Sequence, residues 1–415
     1  MKILFIVIDG LGDEPIKELG GKTPLEAALT PNLDFLARNG ICGLLEPVFT
    51  TFIPTSEETH FALFGYDPRI YKIKRGIFTA QGAGIEVRPG DVALRGNFAT
   101  VDEELNIINR RAGRITETQP LIKDLHGTII DKVKFLIKNA GEHRIAIVLR
   151  GKNLSSNISD SDPHYSSLGE KVKKVLPLDR TSKTIFTAKV LNKFLENSHL
   201  ILKNHPLNKE RERRGLLPAN YLLVRGASTL QKIPTFKERY KFRACCIAGK
   251  ILYKQIGETL GMDLIEVEGA NGLQNTNLKG KIQAAIKALK KPASSQSSGS
   301  GTGVGYDFCF LHIKAADSLA EDGNFRGKEE FIEKIDKNLK PVLKLKGVLI
   351  VITADHSTCS TLKRHCKSPV PVIIFGAGKN GVKKFSERDC QRGKIKRLKS
   401  TNLLKLVFEM NSKKN

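Results

Sequence analysis

The sequence lacks the features that would place the protein outside the cell interior or in a membrane. Its seven cysteines include no CxxC pair and are odd in number, so we expect a reducing compartment and no disulfide framework. No apolar run approaches the roughly 20 residues that a membrane-spanning helix needs. The chain opens directly on a strand-like run, without the charged region and cleavage site of a signal peptide. These absences predict a soluble, cytoplasmic protein.

The sequence also lacks the spacing of zinc-finger ligands and any RNA-binding signature, although its formal net charge is +25. The lysines are spread along the chain in short clusters, such as residues 171–174 and 394–397. A charge distributed in this way is typical of a solvated surface with a local anion site. We therefore expect no membrane partner and no specific nucleic-acid partner, while an oligomer is compatible with the sequence.

Length and local composition predict two domains. The chain of 415 residues is long enough for two domains and a substantial core. From about residue 72 the segments become shorter, more mixed and more polar, and the earlier pattern returns near residue 229. We predict a core of residues 1–71 and 229–415, a smaller inserted α/β domain over 72–228, and a flexible Gly/Ser-rich loop over 292–305.

Buried strands that end in polar residues organise the core. Residues 3–8 form an unbroken apolar run that ends at Asp9, and residues 348–353 form a second run that leads to Asp355 and His356. Such runs are typical of parallel strands buried on both faces, and ligands bind beyond the carboxyl ends of those strands. The pattern predicts an α/β fold with a mostly parallel sheet flanked by helices.

A third strand, over residues 306–312, adds further candidate ligands. It leads to Asp317 and Glu321, which share a face if residues 317–321 are helical, and His365 follows the second run. A mixture of carboxylates and imidazoles suits manganese, zinc or magnesium. Six ligands are too many for one catalytic metal with an open position, but they suit a pair that clamps a transferring phosphoryl group. An isolated carboxylate at a strand end is often only a helix cap, so the prediction rests on the joint pattern.

Two polar segments each leave a structural and a functional interpretation open. Ser56 precedes a helix predicted over 57–64, where it is either the N-cap or a nucleophile at a phosphate-binding helix end; the local sequence alone favours the cap. Asp160, Asp162 and His164 lie in a Ser- and Pro-bearing loop, which could bind a metal or do acid–base work; a plain Asx turn is equally compatible with it. Arginines in glycine-bearing loops suit carboxylate or phosphate.

Taken together, the motifs resemble the archaeal-type cofactor-independent phosphoglycerate mutases of the alkaline phosphatase superfamily. The resemblance runs almost end to end, outside the Gly/Ser-rich segment and the last few residues. The matching motifs are Ile8-Asp-Gly-Leu-Gly-Asp13, Gly20-Gly-Lys-Thr-Pro-Leu-Glu-Ala27, Thr30-Pro-Asn-Leu-Asp34, Leu63-Phe-Gly-Tyr-Asp-Pro68, Asn97-Phe-Ala-Thr100, Arg110-Arg-Ala-Gly-Arg114, Ser159-Asp-Ser-Asp-Pro-His164, His312-Ile-Lys314 and Thr353-Ala-Asp-His356.

The resemblance implies an enzyme of glycolysis and gluconeogenesis that interconverts 3-phosphoglycerate and 2-phosphoglycerate without 2,3-bisphosphoglycerate. The phosphoryl group would pass through a phosphoserine at Ser56. Two divalent metals are implied, with manganese preferred and magnesium, cobalt or zinc as alternatives. The ligands implied for one metal are Asp9, Ser56, Asp355 and His356; those implied for the other are Asp317 and His365, with Glu321 at the position of a family histidine.

The resemblance also nominates residues for the phosphoglycerate substrate. Asp160 and His164 would move protons. The candidates to hold carboxylate and phosphate are Arg95, Arg111, Arg114, Arg150, Arg225 and Lys254. Two other functions stay open: a phosphatase or phosphotransferase (homoserine-kinase-like) acting on another small phosphate ester, and a catalytically impaired homologue with a binding role.

Overall fold

The structure is a computed structural model that describes residues 1–46, 48, 55–163, 169–290, 305–379 and 381–412. The chain divides into two compact units, one of Met1–Tyr71 with Ile233–Asn415 and the other of Lys72–Lys232. The predicted proton carrier His164 and residues 292–304 of the predicted Gly/Ser-rich loop lie outside the described residues.

The described residues form 16 strands and 15 α-helices. The strands are β1 (Lys2–Ile8), β2 (Gly40–Glu46), β3 (Val92–Val101), β4 (Ile107–Asn109), β5 (Ile129–Ile130), β6 (Val133–Asn139), β7 (Arg144–Arg150), β8 (Tyr221–Ser228), β9 (Ala244–Ile247), β10 (Asp263–Leu264), β11 (Phe308–Ile313), β12 (Val348–Thr353), β13 (Ser357–Cys359), β14 (Arg364–Cys366), β15 (Val370–Phe375) and β16 (Lys396–Lys399). The helices are α1 (Pro24–Ala27), α2 (Pro31–Arg38), α3 (Ser56–Leu63), α4 (Pro68–Tyr71), α5 (Arg75–Gly82), α6 (Gln119–Leu125), α7 (Ser182–Asn204), α8 (Pro206–Arg213), α9 (Phe236–Tyr240), α10 (Ile251–Thr259), α11 (Leu278–Lys290), α12 (Ala315–Glu321), α13 (Phe325–Leu339), α14 (Glu387–Cys390) and α15 (Leu403–Ser412).

The first unit is built on a mostly parallel sheet, which confirms the predicted fold class. Its described strands lie in the order β10-β9-β11-β1-β12-β15-β2-β16. The pairs from β10 to β12 are parallel, β15 is antiparallel to both of its neighbours, and β16 is parallel to β2. Because β1 is paired on both sides, its apolar run is covered in the plane of the sheet as well as on both faces, and residues 3–8 are completely buried.

The three apolar runs singled out in the sequence are neighbours in this sheet. In the parallel register, Val7 of β1 lies opposite His312 of β11 on one side and Thr353 of β12 on the other. The carboxyl ends of β11, β1 and β12 therefore meet at one edge of the sheet. Residues that follow these strands are brought together although β1 lies about 300 or more positions before the other two strands in the chain.

The second unit contains an antiparallel sheet in the order β4-β3-β7-β6-β5, with β8 paired to β3. Alternate residues of its strands face opposite sides, as the two-residue period of a strand requires. Leu94 belongs to the larger apolar core, to which Phe194 of α7 also contributes, whereas the adjacent Ala93 packs with Ile77 of α5. The ring of Phe194 stacks on Phe135 of β6, with 3.9 Å between centroids. The unit has its own core.

Among the described residues, no helix combines the length and the apolar character that crossing a bilayer requires. The described helices of the first unit cover its sheet or connect its strands.

Candidate active site

Three adjacent strand ends in the first unit supply a group of acidic and imidazole side chains. Asp9 directly follows β1, Asp355 and His356 follow β12, and Asp317 lies on α12, four residues beyond the end of β11. These four side chains are at most 5% exposed. Since an unpaired buried carboxylate is costly, several of them at one sheet edge indicate a site that binds cations.

The first cluster consists of Asp9, Asp355 and His356, each of which offers one ligand atom within 4.8 Å of the others. Nε2 of His356 lies 3.1 Å from Oδ2 of Asp355 and 3.6 Å from Oδ1 of Asp9. The backbone N–H of Gly10 donates to Oδ1 of Asp355 (3.2 Å), which ties the loop after β1 to the end of β12. This bond joins the two segments of the chain that carry the first cluster.

The second cluster consists of Asp317, His356 and His365, again within 4.8 Å of one another. Nε2 of His365 lies 3.5 Å from Oδ1 of Asp317, and the rings of His356 and His365 stack with 3.6 Å between centroids. Glu321 stands at the rim, where its Oε1 is 3.9 Å from Nε2 of His365 and its side chain is 41% exposed. The structure thus brings together all six predicted non-serine ligands.

Thr358 orients the side chains of both clusters. Its hydroxyl donates to Oδ1 of Asp317 (2.5 Å) and lies 3.2 Å from Nδ1 of His356. A hydroxyl has one proton to donate, so toward His356 it acts as the acceptor of an Nδ1–H. When His356 is neutral, that tautomer leaves the lone pair on Nε2, the atom that faces Asp9 and Asp355.

The electrostatics of the site favour added positive charge. Burial lowers the pKa of His356, but the charge of Asp355 and its hydrogen bond outweigh burial and raise this pKa to about 9. Burial lowers the pKa of His365 to about 4, with a further contribution from His356, so its imidazole is neutral near pH 7. Burial raises the pKa of Asp9, yet Lys314 and His312 more than compensate and hold it well below its usual range. The pKa values of Asp317 and Asp355 are also lowered, so all three aspartates are ionised near pH 7.

One buried oxygen atom provides a direct test of whether the residues fit a metal. Oδ1 of Asp9 has no hydrogen-bond partner within the described part of the chain. A buried carboxylate oxygen without a donor is destabilising unless a cation accompanies it. Oxygen ligands combined with imidazole nitrogens suit a divalent metal such as manganese. The two clusters fit the predicted pair of metals.

Ser56 is not the helix cap that the local sequence favours. Thr55 occupies the N-cap position of α3, and Glu58 accepts hydrogen bonds from the backbone N–H (2.8 Å) and hydroxyl (2.9 Å) of Thr55. Ser56 is the first helical residue and is 3% exposed. Its Oγ lies 3.5 Å from Nε2 of His356. Because Thr55 takes the capping role, the serine hydroxyl is directed to the first cluster instead.

Sequence reasoning missed three side chains that hold the ligands. Tyr253 on α10 donates its hydroxyl to Oδ2 of Asp9, and Nε2 of His312 lies 3.0 Å from the same oxygen. The rings of Tyr253 and His312 stack with 3.5 Å between centroids. Lys314 contacts both Asp9 and Asp317. His312 and Lys314 occupy the end of β11 and the next turn, where the rule used for Asp9 would have found them; Tyr253, on a helix, carried no such signal.

The hairpin β13–β14, which carries Thr358 and His365, contains a disulfide that the sequence did not predict. Cys359 and Cys366 are bonded across the two strands, with 5.9 Å between their Cα atoms. Thr358 and His365 are paired directly in the register, and the bonded cysteines lie on the opposite face of the hairpin. No framework is present in the described residues, since the other cysteines (Cys42, Cys245, Cys246, Cys309 and Cys390) are free and buried.

The second unit gathers several of the predicted arginines around one buried histidine. Arg95 on β3 lies opposite Arg225 on β8. Burial of His143 lowers its pKa to about 3, with contributions from Arg144, Arg111, Arg95 and Arg114. Three predicted arginines therefore contribute positive potential at His143, together with Arg144, which was not predicted. Such a concentration of guanidinium groups suits a carboxylate or phosphate.

Other predicted residues of this set have protein partners in the structure. Arg150 makes a two-pronged contact with Asp91, whose closest approach is 2.8 Å. Lys254, in the first unit, binds both oxygens of Glu266 at 2.7 and 2.6 Å. These two side chains are already neutralised by carboxylates.

The loop that holds Asp160 is anchored to β8. Oδ1 of Asp160 accepts a hydrogen bond from the backbone N–H of Gly226 (2.8 Å). Asp162 receives two hydrogen bonds from Arg110 (2.7 and 2.6 Å) and lies 3.9 Å from Nε of Arg225. The structure thus gives Asp162 a clear role in positioning arginines.

The fold and the site define an α/β protein with a candidate centre for divalent metals at the carboxyl edge of its sheet. A family model described as 2,3-bisphosphoglycerate-independent phosphoglycerate mutase matches residues 37–208. A curated mutase of that description from Archaeoglobus fulgidus is 43% identical over 99% of this chain and 98% of its own length. One from Sulfolobus acidocaldarius is 41% identical, covering 98% and 96%.

Solved structures agree with the sequence relatives. A cofactor-independent phosphoglycerate mutase from Thermoplasma acidophilum is 34% identical, with a TM-score of 0.65 over 99% of this chain and 100% of that one. A Pyrococcus horikoshii protein is 31% identical, with a TM-score of 0.79 over 99% and 97%. The chain belongs to the family of 2,3-bisphosphoglycerate-independent phosphoglycerate mutases and is an enzyme, as predicted.

Proposed function

We propose that the protein interconverts 3-phosphoglycerate and 2-phosphoglycerate through a phosphoserine at Ser56, with two divalent metals and without 2,3-bisphosphoglycerate, in glycolysis and gluconeogenesis. The observation that carries this proposal is the placement of the Ser56 hydroxyl, 3.5 Å from Nε2 of His356 and beside two ligand clusters. The relatives, whose names specify independence from 2,3-bisphosphoglycerate, support the substrate and the lack of that cofactor.

The first metal would be held by Asp9, Ser56, Asp355 and His356, and the second by Asp317, His365 and Glu321. When bound, divalent metals polarise phosphoryl oxygens and favour ionisation of a serine hydroxyl that is in contact with them. Manganese fits the carboxylate-rich ligand set best.

The residues of the chain carry out two phosphoryl transfers. In the first, Oγ of Ser56 forms a bond to phosphorus while the bond between phosphorus and the substrate oxygen breaks; the serine loses its proton and the departing glycerate oxygen gains one. In the second, the other hydroxyl of glycerate loses its proton and forms a bond to phosphorus while the bond between phosphorus and Oγ breaks, and Ser56 gains a proton. The position of Ser56 at the start of α3 helps, because the N–H groups of a first helical turn attract phosphate.

Glycerate must be retained between the two transfers, since its loss would leave a hydrolysable phosphoenzyme. Arg95, Arg111 and Arg114, which act together on His143, are suited to bind its carboxylate. Arg150 and Lys254 are less available because Asp91 and Glu266 bind them. Asp160 and His164 remain the proposed proton carriers.

A coupled assay for 2-phosphoglycerate tests the reaction. Metal-stripped protein should turn over 3-phosphoglycerate after addition of manganese, with no bisphosphoglycerate present. Ser56→Ala should abolish both turnover and labelling of the protein by substrate phosphate. Ser182→Ala is a matched control, because Ser182 also begins a helix behind a capping threonine but lies in the second unit. Labelling that survives in Ser56→Ala would refute the nucleophile, and folded, metal-loaded protein without mutase activity would favour another phosphate ester as substrate.

A further inference from the structure

Lys314 contacts an aspartate of each cluster. Its ammonium lies 3.2 Å from Oδ2 of Asp9 and is hydrogen-bonded to Oδ2 of Asp317. The side chain is 17% exposed and follows β11 directly, at the N-cap position of α12. Its ammonium is therefore fixed at the same sheet edge as the ligands.

The contacts of Lys314 divide the two oxygens of each aspartate. Oδ2 of Asp9 is contacted by Lys314, Tyr253 and His312. Oδ1 of Asp9 has no hydrogen-bond partner in the described chain and is the oxygen closer to His356. In Asp317, Lys314 binds Oδ2, whereas Oδ1 lies 3.5 Å from Nε2 of His365. In both residues the ammonium holds the oxygen that is turned away from the cluster imidazole.

We propose that Lys314 is a positioning residue that orients Asp9 and Asp317 together, so that each presents Oδ1 to its own metal. The inference rests on the proposed two-metal function and adds a residue that couples the two sites. Outer hydrogen bonds of this kind restrict the rotation of a ligating carboxylate and support metal affinity.

The proposal and simple electrostatics predict opposite changes in metal affinity when the charge of Lys314 is removed. A cation beside two metal sites repels metals, so removing its charge should strengthen binding if repulsion were its main effect. Removing a positioning residue should weaken binding, by roughly 10- to 100-fold in affinity. The loss should be larger at the second site. Asp9 keeps its contacts with Tyr253 and His312 at Oδ2, whereas the remaining contacts of Asp317, with Thr358 and His365, are both at Oδ1.

The experiment is a calorimetric titration of manganese into metal-stripped wild-type protein, Lys314→Met and Lys314→Arg. Lys314→Met should bind both metals more weakly, and Lys314→Arg, which retains charge and donors, should recover part of the loss. Lys405→Met, which removes an exposed lysine of the first unit, is the control and should match wild type. Unchanged or tighter binding in Lys314→Met would overturn the proposal. A wild-type protein that does not bind two metals would instead refute the proposed function.

A second measurement does not depend on the folding of a variant. In a crystal structure of the wild-type protein with manganese, Nζ of Lys314 should remain within hydrogen-bonding distance of Oδ2 of Asp9 and of Asp317, while Oδ1 of each ligates metal. Displacement of the ammonium from both aspartates in that structure would contradict the positioning role.

Discussion

The two ligand clusters use the same kinds of residue but rest on different supports. The first cluster follows two central, paired strands of the sheet, and its side chains are at most 5% exposed. The second depends on α12, a helix of seven residues, and on a hairpin whose strands have three residues each. A two-stranded hairpin is only marginally stable by itself. The first site is therefore positioned by the central sheet together with side-chain bonds to Asp9, whereas the second depends on a short helix and a short hairpin.

A buried ion pair also stabilises the two segments of the chain that carry the first cluster. Nζ of Lys328, on α13, contacts Oδ2 of Asp13 (2.8 Å) and the carbonyl oxygens of Gly12 and Thr358 (3.0 Å each). The backbone N–H and hydroxyl of Ser360 also donate to Asp13. Lys328 thus joins the loop that follows Asp9 to the chain that follows His356.

Of the changes considered, breaking this ion pair should lower the free energy of unfolding the most. Lys328→Met leaves Asp13 buried without its counter-ion, which costs about 3–5 kcal/mol in the free energy of unfolding. Urea denaturation of metal-stripped protein measures the change. Lys334→Met is the control, because Lys334 lies on the same helix but makes an exposed bond to a carbonyl oxygen. A loss below about 1 kcal/mol, the range of an exposed pair, would show that the loop does not depend on Lys328.

Sequence reasoning was most effective where backbone dictates position. The apolar runs before Asp9 and Asp355 indicated buried parallel strands, and parallel strands share a carboxyl edge, so their ligands could be grouped without a structure. The structure places these strands as neighbours, in agreement with the prediction.

Sequence reasoning was wrong or silent where the contacts of individual side chains, and not the path of the backbone, decide the structure. Whether Ser56 caps its helix depended on whether Thr55 could do so instead, which local preferences do not resolve. The contact of Tyr253 with Asp9 depends on how α10 packs, and the pairing of Cys359 with Cys366 depends on the turn between two short strands. No pattern of apolar residues encodes these contacts.

Removing the disulfide tests the support of the second cluster separately, because this bond joins only the two strands of the hairpin. Cys366→Ser should lower the free energy of unfolding by about 2 kcal/mol, the chain-entropy value for a loop that spans a sequence separation of 7 residues. Because His365 precedes Cys366, we also expect weaker binding at the second metal site and little change at the first. Denaturation and manganese titration, each with and without dithiothreitol, measure both effects.

The controls for this variant are chemical and genetic. Reduction of the wild-type protein should reproduce the behaviour of Cys366→Ser, whereas Cys390→Ser, a change at a free buried cysteine, should leave the second metal site intact. Equal weakening of both metal sites in Cys366→Ser would mean that the hairpin supports the whole centre, and the distinction between the clusters would fail.

Substitution of Glu321, the most exposed of the predicted ligands, should have the smallest energetic effect, a change in affinity at the second metal site. Its Oε1 is 3.9 Å from His365, and burial raises its pKa, with a further contribution from Asp317. Glu321→Gln keeps the shape but removes the charge, so we expect affinity for the second metal to fall roughly tenfold, about 1.4 kcal/mol, with the first site unchanged. Glu321→His, which replaces a hard oxygen ligand by an imidazole, should shift the preference of the second site from manganese toward zinc. Competition titrations of the two metals measure both changes. If Glu321→Gln bound the second metal as tightly as wild type, Glu321 would be a rim carboxylate and the second site would be completed by Asp317, His365 and solvent.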